Sequence, residues 1–296
     1  MAASIEIGAG NAGNLARDLV WALDPARFAL EALGMNPDAW QERVLRWMGK
    51  RLILNITRQG GKSTTTAALA LHTSLYQPES LVLLVSPSLR QSGELFRKVT
   101  SHLGKLEKAT GARPRMLEEN KLSMQLENGS RVVSLPSSEE TIRGFSAVDL
   151  LIEDEASRVS DDLNRAVRPM LAVSQGRLVL MSSPFGKRGH FYEAWERGGP
   201  QWDRVKVTAY ECPRITSAFL AEERAALGEL WFKSEYLCEF ADTVDSAFSP
   251  AAVKATVSDE VAPLFGAPDT DASARAGEGA GEDTGQTGAM VAPLFE

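Results

Sequence analysis

The chain has 296 residues, of which 44% are hydrophobic and 24% are charged, values typical of a folded globular protein. It contains only two cysteines, so no disulfide framework is implied and a reducing compartment is indicated. The opening residues lack the pattern of a signal peptide, and the longest apolar runs are too short to cross a bilayer. Composition therefore predicts one large domain or two small ones, with no membrane partner.

The net charge of −7 is concentrated at one end of the sequence. Residues 243–296 contain nine acidic and two basic residues, and removing them from the totals of 39 and 32 leaves 30 of each sign in residues 1–242. The low isoelectric point is thus a property of the tail. The remaining chain is neutral overall and can still meet a polyanion locally.

The first predicted elements are helical. Residues 1–13 are small and glycine-rich and are expected to fray, whereas Asn14–Met48 has helical spacing with breaks at Pro25, Gly34 and Pro37. From residue 51 onward, predicted strands and helices alternate. The predicted strands are Leu52–Ile56, Leu81–Ser86, a hairpin of Leu122–Leu126 and Arg131–Leu135 turned at Asn128 and Gly129, then 148–153, Arg177–Met181 and Arg204–Thr208. The predicted helices begin at Lys62 and cover Gln91–Lys108, Asp161–Leu171 and Gly189–Trp195.

This alternation predicts an α/β fold with a mostly parallel sheet between helices and with ligands at the carboxyl ends of the strands. Residues 217–240 read as two short helices around Gly228 that pack against the edge of the sheet. Residues 266–290 contain six glycines, six alanines and five acids without an aromatic residue, which predicts disorder. We divide the sequence into a helical lead-in, 1–48, a main domain, 49–248, whose helices 217–240 form a lid, and a linker with an acidic tail, 249–296.

A phosphate-binding loop is predicted directly after the first strand, at Thr57–Thr64. A strand, a glycine turn and a helix N-terminus together point backbone N–H groups at phosphates. Lys62 would lie on the β- and γ-phosphates of ATP, and Ser63 would hold Mg²⁺. The other residues expected to line the nucleotide are Thr57, Gln59, Gly60, Gly61 and Thr64. The general motif has glycine where Ile56 stands, and the alternative is an ordinary turn with a surface lysine.

A second motif lies at the end of the predicted strand 148–153. An ATPase needs one acid there to hold Mg²⁺ and another to orient the attacking water. Asp154 fits the first role and Glu155 the second, whereas the alternative is a strand that ends in solvated acids. Glu153 complicates the pattern, because an apolar residue is usual there. Either Glu153 points to the solvent side of the strand end or the register is shifted by one residue.

Together, these motifs make residues 35–248 resemble the large subunit of tailed-phage terminases, the ATP-driven motors that package DNA into empty proheads. The resemblance implies a P-loop NTPase fold of the RecA-like, additional-strand type. Further ordered segments match that family: Pro37–Gln41, Thr141–Phe145, Leu178–Gly186, Phe191–Trp195 and Glu235–Phe240.

The resemblance also implies roles for particular residues. Gln41 would bond the adenine edge, although it could be an ordinary helix glutamine. Arg58 matches the arginine inside the family's phosphate loop, and Arg143 matches an arginine that in some members reaches a neighbouring subunit's ATP. Either arginine could be the catalytic one, or a surface residue paired with an acid. Ser182 and Ser183 match the motif that couples hydrolysis to movement; the alternative is a simple strand-end turn.

The resemblance implies an ATPase that uses ATP and Mg²⁺ to move double-stranded DNA, in the host cytoplasm, as a ring docked with a portal protein and a terminase small subunit. Related subunits usually continue into a nuclease domain near the position of residue 266, where this sequence has its acidic tail. We therefore expect DNA cleavage to be absent from this chain and to be supplied by a separate nuclease chain or lost. A helicase-like translocase and a non-catalytic assembly remnant are the alternatives.

Overall fold

The structure is a computed structural model that describes residues 12–136 and 144–241, with side chains from residue 15 onward. All of them fall within one compact unit, Met1–Ser246. Arg143, residues 1–11 and residues 242–296 lie outside the described part. The predictions made for those residues, including the acidic tail, therefore stay predictions.

The described residues build an eight-stranded sheet in the order β3-β4-β5-β2-β6-β7-β1-β8. The strands are β1 (Arg51–Ile56), β2 (Leu81–Ser86), β3 (Met116–Glu119), β4 (Ser123–Leu126), β5 (Arg131–Pro136), β6 (Leu150–Asp154), β7 (Arg177–Ser182) and β8 (Asp203–Val207). Strands β5, β2, β6, β7, β1 and β8 run parallel, whereas β3 and β4 are antiparallel additions at one edge. Strand β7 lies between β1 and β6, so one strand separates the phosphate loop from the acidic strand end.

Helices cover both faces of this sheet. Within the described residues they are α1 (Ala12–Leu23), α2 (Ala39–Leu45), α3 (Lys62–Tyr76), α4 (Leu89–Thr110), α5 (Asp161–Val167), α6 (Gly189–Arg197), α7 (Ser217–Leu227) and α8 (Glu229–Leu237), with short helical turns between them. Alternate residues of β1 enter two separate cores: Leu52 and Leu54 pack with α3 and α4, and Ile53 packs with α5 and α6. No helix among these combines the length and the apolar character needed to cross a membrane.

The lead-in helices pack on α3 through a cluster of aromatic rings. Phe28 makes edge contacts with Trp21, His72 and Tyr76, at centroid distances of 6.2, 5.4 and 5.8 Å. Such edge-to-face pairs contribute about 0.5–1.5 kcal/mol each beyond their burial. The lead-in is therefore anchored to the helix that begins at the phosphate loop.

Three elements differ from the sequence prediction by more than a small shift at an end. The edge strand β3 was not predicted, because its sequence Met-Leu-Glu-Glu is largely exposed and lacks apolar alternation. The predicted helix Asp161–Leu171 ends as an α-helix at Val167 and continues as a 3-10 turn, since Pro169 lacks an N–H donor and cannot sit inside an α-helix. Helix α8 packs not only at the sheet edge but across the carboxyl ends of β1 and β7. There Asn55 Nδ2 donates to the Cys238 carbonyl at 2.9 Å.

Candidate active site

The predicted phosphate loop forms a tight turn between β1 and α3. Gly61 has φ = +101°, and a Cβ there would lie 2.9 Å from Gln41 Nε2. Only glycine combines that backbone conformation with that clearance. Helix α3 begins at the next residue, Lys62, so its unpaired N–H groups and positive dipole end face the turn. The loop has the geometry of an anion site.

The structure brings Lys62 and the two predicted acids together. Strand β6 ends at Asp154, and Glu155 follows in a left-handed conformation with φ = +51°. The Lys62 ammonium lies 3.5 Å from Glu155 Oε1, and both Lys62 and Asp154 are buried. The two motifs meet because the carboxyl ends of parallel strands share one edge of the sheet.

Asp154 carries a perturbed carboxyl group. Burial, followed by the negative charge of Glu155, raises its pKa to about 6, and Lys62 opposes this rise. In the described part of the chain, no group of three or more acidic, histidine or cysteine side chains could hold a metal ion. Mg²⁺ in nucleotide sites needs only one or two carboxylates together with substrate phosphates. One buried aspartate at the strand end is therefore enough protein carboxylate for this cation; that Ser63 joins it as a ligand stays a prediction.

The raised pKa predicts how metal-free stability depends on pH. A carboxyl group whose folded-state pKa exceeds its unfolded value stabilises the fold below the unfolded pKa, and this contribution is lost as pH rises through the folded pKa. Between pH 4 and pH 7, Asp154 should thus lower the free energy of unfolding by up to about 3 kcal/mol. The Asp154→Asn variant should not show this fall in the free energy of unfolding, because asparagine does not ionise. Urea unfolding in EDTA at both pH values measures the effect.

The exposed Asp162 on α5 provides the control for this experiment. Asp162→Asn should leave the pH dependence of unfolding as in the wild type. If Asp154→Asn also tracks the wild type from pH 4 to pH 7, the raised pKa of Asp154 is contradicted.

The two predicted coupling serines contact two different carboxylates. Ser182 lies at the end of β7, where its hydroxyl is 3.4 Å from Glu155 Oε2 and 2.7 Å from Ser157 Oγ. Ser183 is buried and donates to Glu235 Oε2 at 3.0 Å. One serine therefore touches the predicted catalytic acid and its neighbour touches helix α8.

Of the remaining loop residues, Thr57 and Arg58 contact α8, and the others lie at the surface of the turn or in the first turn of α3. Thr57 is buried, and its hydroxyl donates to the Glu235 carbonyl at 3.0 Å, so this hydroxyl is engaged away from the phosphate side of the turn. Gln59 is exposed, and Ser63 and Thr64 are half-buried in the first turn of α3. Arg58 is exposed, with its guanidinium 3.9 Å from Glu235 Oε2. As nucleotide ligands, these residues stay predictions.

The sequence left two explanations for Glu153: it points to the solvent side of the strand end, or the register is shifted by one residue. The first is wrong, because Glu153 does not face solvent. It is fully buried, and its Oε1 lies 2.6 Å from His190 Nε2 on helix α6. Burial of His190 lowers its pKa, but the bonds to Glu153 and Asp161 outweigh this, so the net pKa is raised. No register shift is needed either, because Asp154 is the last residue of β6. Successive strand residues point to opposite faces, which places Glu153 away from Asp154.

The segment Pro37–Gln41, which contains the predicted adenine ligand, lies against the start of α3. Gln41 donates to Thr65 Oγ1 at 2.9 Å and accepts from the Asp38 N–H at 2.8 Å, so its amide is held by the protein and its contact with adenine stays a prediction. A cleft of about 540 Å³ opens beside this segment, lined in part by Trp40 and Arg43.

Arg214 is a site residue that the sequence did not predict. Its guanidinium donates to the Asp38 carboxylate and, at 3.1 Å, to the Gly60 carbonyl. No sequence motif marks Arg214.

Glu235 is the other site residue missed by sequence reasoning. It is buried on α8 and contacts both Ser183 and Arg58. The family match of its segment, Glu235–Phe240, gives this carboxylate no role. A charged residue among Phe232, Tyr236 and Leu237 was the available signal, since buried charges are rare unless they are paired.

The comparison with known proteins decides the family. Residues 53–254 match the model of the N-terminal part of the terminase large subunit, T4likevirus-type. The chain belongs to this terminase family. The match covers the predicted phosphate loop, the acidic strand end and the two serines Ser182 and Ser183, and it confirms the resemblance drawn from those motifs.

Individual relatives agree with the family match. A terminase large subunit of Thermus virus P23-45 is 25% identical over 260 residues, which cover 77% of this chain and 53% of that protein. A variant of the large terminase ATPase domain of Thermus phage P74-26 has a TM-score of 0.65 at 22% identity and covers 74% of this chain and 100% of that one. The large terminase of bacteriophage D6E in complex with ADP has a TM-score of 0.52 at 11% identity, over 74% of this chain and 54% of that one. The chain spans about half the length of the curated relatives it matches.

These likenesses confirm the predicted fold class. The sheet is mostly parallel, lies between helices and has an additional strand between β1 and β6, as expected for a P-loop NTPase. The structural neighbours are terminase ATPase domains of the same fold.

Proposed function

We propose that this chain is the ATPase part of a DNA-packaging motor, which hydrolyses ATP with Mg²⁺ to move double-stranded DNA into a prohead. The observation that carries the proposal is the meeting of Lys62, Asp154 and Glu155 at one end of the sheet, with Lys62 Nζ 3.5 Å from Glu155 Oε1. A buried lysine at a helix N-terminus, beside one buried and one half-buried acid, provides both an anion site and a cation site. Phosphoryl transfer from a nucleoside triphosphate requires this combination.

Each residue has a role that follows from its position. Lys62 neutralises oxygens of the β- and γ-phosphates, and the first N–H groups of α3 hold the same phosphates. Ser63 and Asp154 would hold Mg²⁺, which neutralises charge on the triphosphate when it is bound. Glu155 orients the attacking water. Its contact with Lys62 holds the carboxylate close to the side chain that would bind the phosphates.

The arginines complete the proposed chemistry. Arg58 lies in the loop itself and is exposed enough to turn toward a γ-phosphate. Arg143, which lies outside the described residues, is proposed to reach the ATP of a neighbouring subunit. A well-placed arginine accelerates phosphoryl transfer by about 10³–10⁵-fold. We assign the transition-state role to one of these two residues.

The wider role rests on the family. We propose a ring of subunits in the host cytoplasm, docked on a portal protein and served by a terminase small subunit, with α7 and α8 acting as a lid over the nucleotide. Where cleavage of DNA is needed, a nuclease outside residues 12–241 supplies it. Because the chain spans only part of its relatives, these partners are proposals for the assembled motor.

ATP turnover by the purified chain tests the proposed function. It is measured with and without double-stranded DNA and with and without proheads carrying portal. We expect hydrolysis that depends on Mg²⁺ and is stimulated by DNA when proheads are present. The absence of turnover in every condition would reject the ATPase and favour a non-catalytic role in assembly.

A further inference from the structure

Glu235 is a buried carboxylate at the junction of four structural elements. It lies on α8 and is 5% exposed. A charge removed from water in this way is costly unless it is paired and hydrogen-bonded. Its partners therefore indicate what this residue does.

The partners of its carboxylate come from the ends of three parallel strands. Ser183, after β7, donates to Oε2 at 3.0 Å. Arg58, in the phosphate loop after β1, lies 3.9 Å from the same oxygen. Arg158, in the turn that follows β6 and Glu155, lies 4.0 Å from Oε1. The Glu235 carboxylate is thus in contact with the phosphate loop, with the turn after Glu155 and with Ser183.

The backbone of the same residue is attached to the phosphate loop as well. The Glu235 carbonyl accepts hydrogen bonds from Thr57 Oγ1 at 3.0 Å and from the Arg58 N–H at 3.3 Å. These bonds do not depend on the side chain. A substitution that keeps the shape of Glu235 should therefore leave α8 in place and change only the charge that faces Arg58 and Arg158.

We propose that Glu235 is a positioning residue that holds Arg58 against helix α8 and competes with a triphosphate for this arginine. The proposal rests on the proposed function, because it needs a nucleotide at the phosphate loop. The arginine is two-thirds exposed, and its 3.9 Å separation from Glu235 is longer than a hydrogen bond, so the pair is weak enough to exchange. When Arg58 turns to the phosphates, the Glu235 carboxylate loses a neighbouring positive charge. Nucleotide binding at the loop therefore changes the local stability of α8.

If Glu235 competes for Arg58, removing its charge should raise the affinity for a triphosphate, an effect that a purely structural role would not produce. Glu235→Gln keeps a hydrogen-bonding partner for Ser183 but removes the charge that attracts Arg58. A triphosphate should then bind more tightly, because Arg58 no longer has to leave an anion. Partly exposed ion pairs are weak, so the expected gain in affinity is about two- to fivefold. Damage to the fold would weaken binding instead.

The experiment is titration calorimetry of the full chain with ATPγS and Mg²⁺, for the wild type, Glu235→Gln, Arg58→Ala and the double variant. The matched control is Glu229→Gln, an exposed carboxylate in the first turn of the same helix that pairs with Arg224. We expect tighter binding for Glu235→Gln, no gain when Arg58 is already alanine, and no change for Glu229→Gln. Weaker binding, unchanged binding or an equal gain in both Arg58 backgrounds would overturn the proposal.

A second measurement covers the case in which Glu235→Gln does not fold. Amide hydrogen exchange over residues 229–237 is compared with and without ATPγS in the wild type and in Arg58→Ala. Nucleotide should change exchange there in the wild type and not in the variant, and an identical response in both proteins would overturn the proposal. If the wild type binds no nucleotide, the proposed function itself is rejected, which separates that failure from a failure of Glu235 alone.

Discussion

Lys62→Ala should abolish ATP hydrolysis, lowering kcat/KM by about 10³-fold or more, since loss of a single preorganised donor at developing charge already costs about 10²–10³-fold. The lysine is buried beside two acids, so it supplies the cation nearest to where the phosphates would lie. Without it, two carboxylates would repel an incoming triphosphate. Steady-state phosphate release measured at saturating Mg²⁺ tests the prediction, and nucleotide affinity should fall together with turnover.

The control for Lys62→Ala is Lys108→Ala, a lysine in the last turn of α4. This variant should keep wild-type turnover. Because Lys62 also offsets the charges of Asp154 and Glu155, a thermal melt must show that Lys62→Ala is folded before its activity is compared. A folded Lys62→Ala protein with more than a tenth of wild-type turnover would contradict the role given to this residue.

Glu155→Gln should separate binding from chemistry. Glutamine has nearly the same shape and can still bond Ser182, so the site and its affinity for ATP should be kept. It cannot orient and deprotonate water as a carboxylate does, and the loss of such a group costs about 10²–10⁴-fold in rate. Single-turnover hydrolysis gives the rate, and equilibrium binding of ATP gives the affinity. We expect unchanged or tighter binding, since one negative charge is removed, with turnover close to background.

The matched control for Glu155→Gln is Glu193→Gln on the exposed side of α6, where the carboxylate pairs with Arg197. Its turnover should equal that of the wild type. Turnover by Glu155→Gln at the wild-type rate would remove Glu155 from the chemistry. Equal loss of binding and turnover would instead place it among the nucleotide ligands.

The sequence could predict those site residues that directly follow a strand, because the position of the strand end determines where they lie. Strand β2 lies where its apolar run predicted, and β1 and β7 differ from prediction by only one residue at an end. The meeting of Lys62 with Asp154 and Glu155 followed from one rule, that parallel strands present their carboxyl ends at a common edge. Neither motif needed knowledge of the rest of the chain.

The parts that sequence could not predict depend on side chains that are distant along the chain. Glu153 is buried because His190, 37 residues later, supplies its partner. Arg214 reaches Asp38 across 176 residues. Glu235 meets the phosphate loop because α8 crosses the strand ends. No local pattern encodes such pairings, since each is set by the packing of separate elements and not by propensity.

A crystal structure of the chain with ATPγS and Mn²⁺, used as an anomalous-scattering substitute for Mg²⁺, tests the central claim most directly. The account predicts the metal peak between the Ser63 hydroxyl and the Asp154 carboxylate, with the β- and γ-phosphates on Lys62 and the first turn of α3. A nucleotide bound away from this turn, or a metal ion with neither Ser63 nor Asp154 beside it, would contradict it.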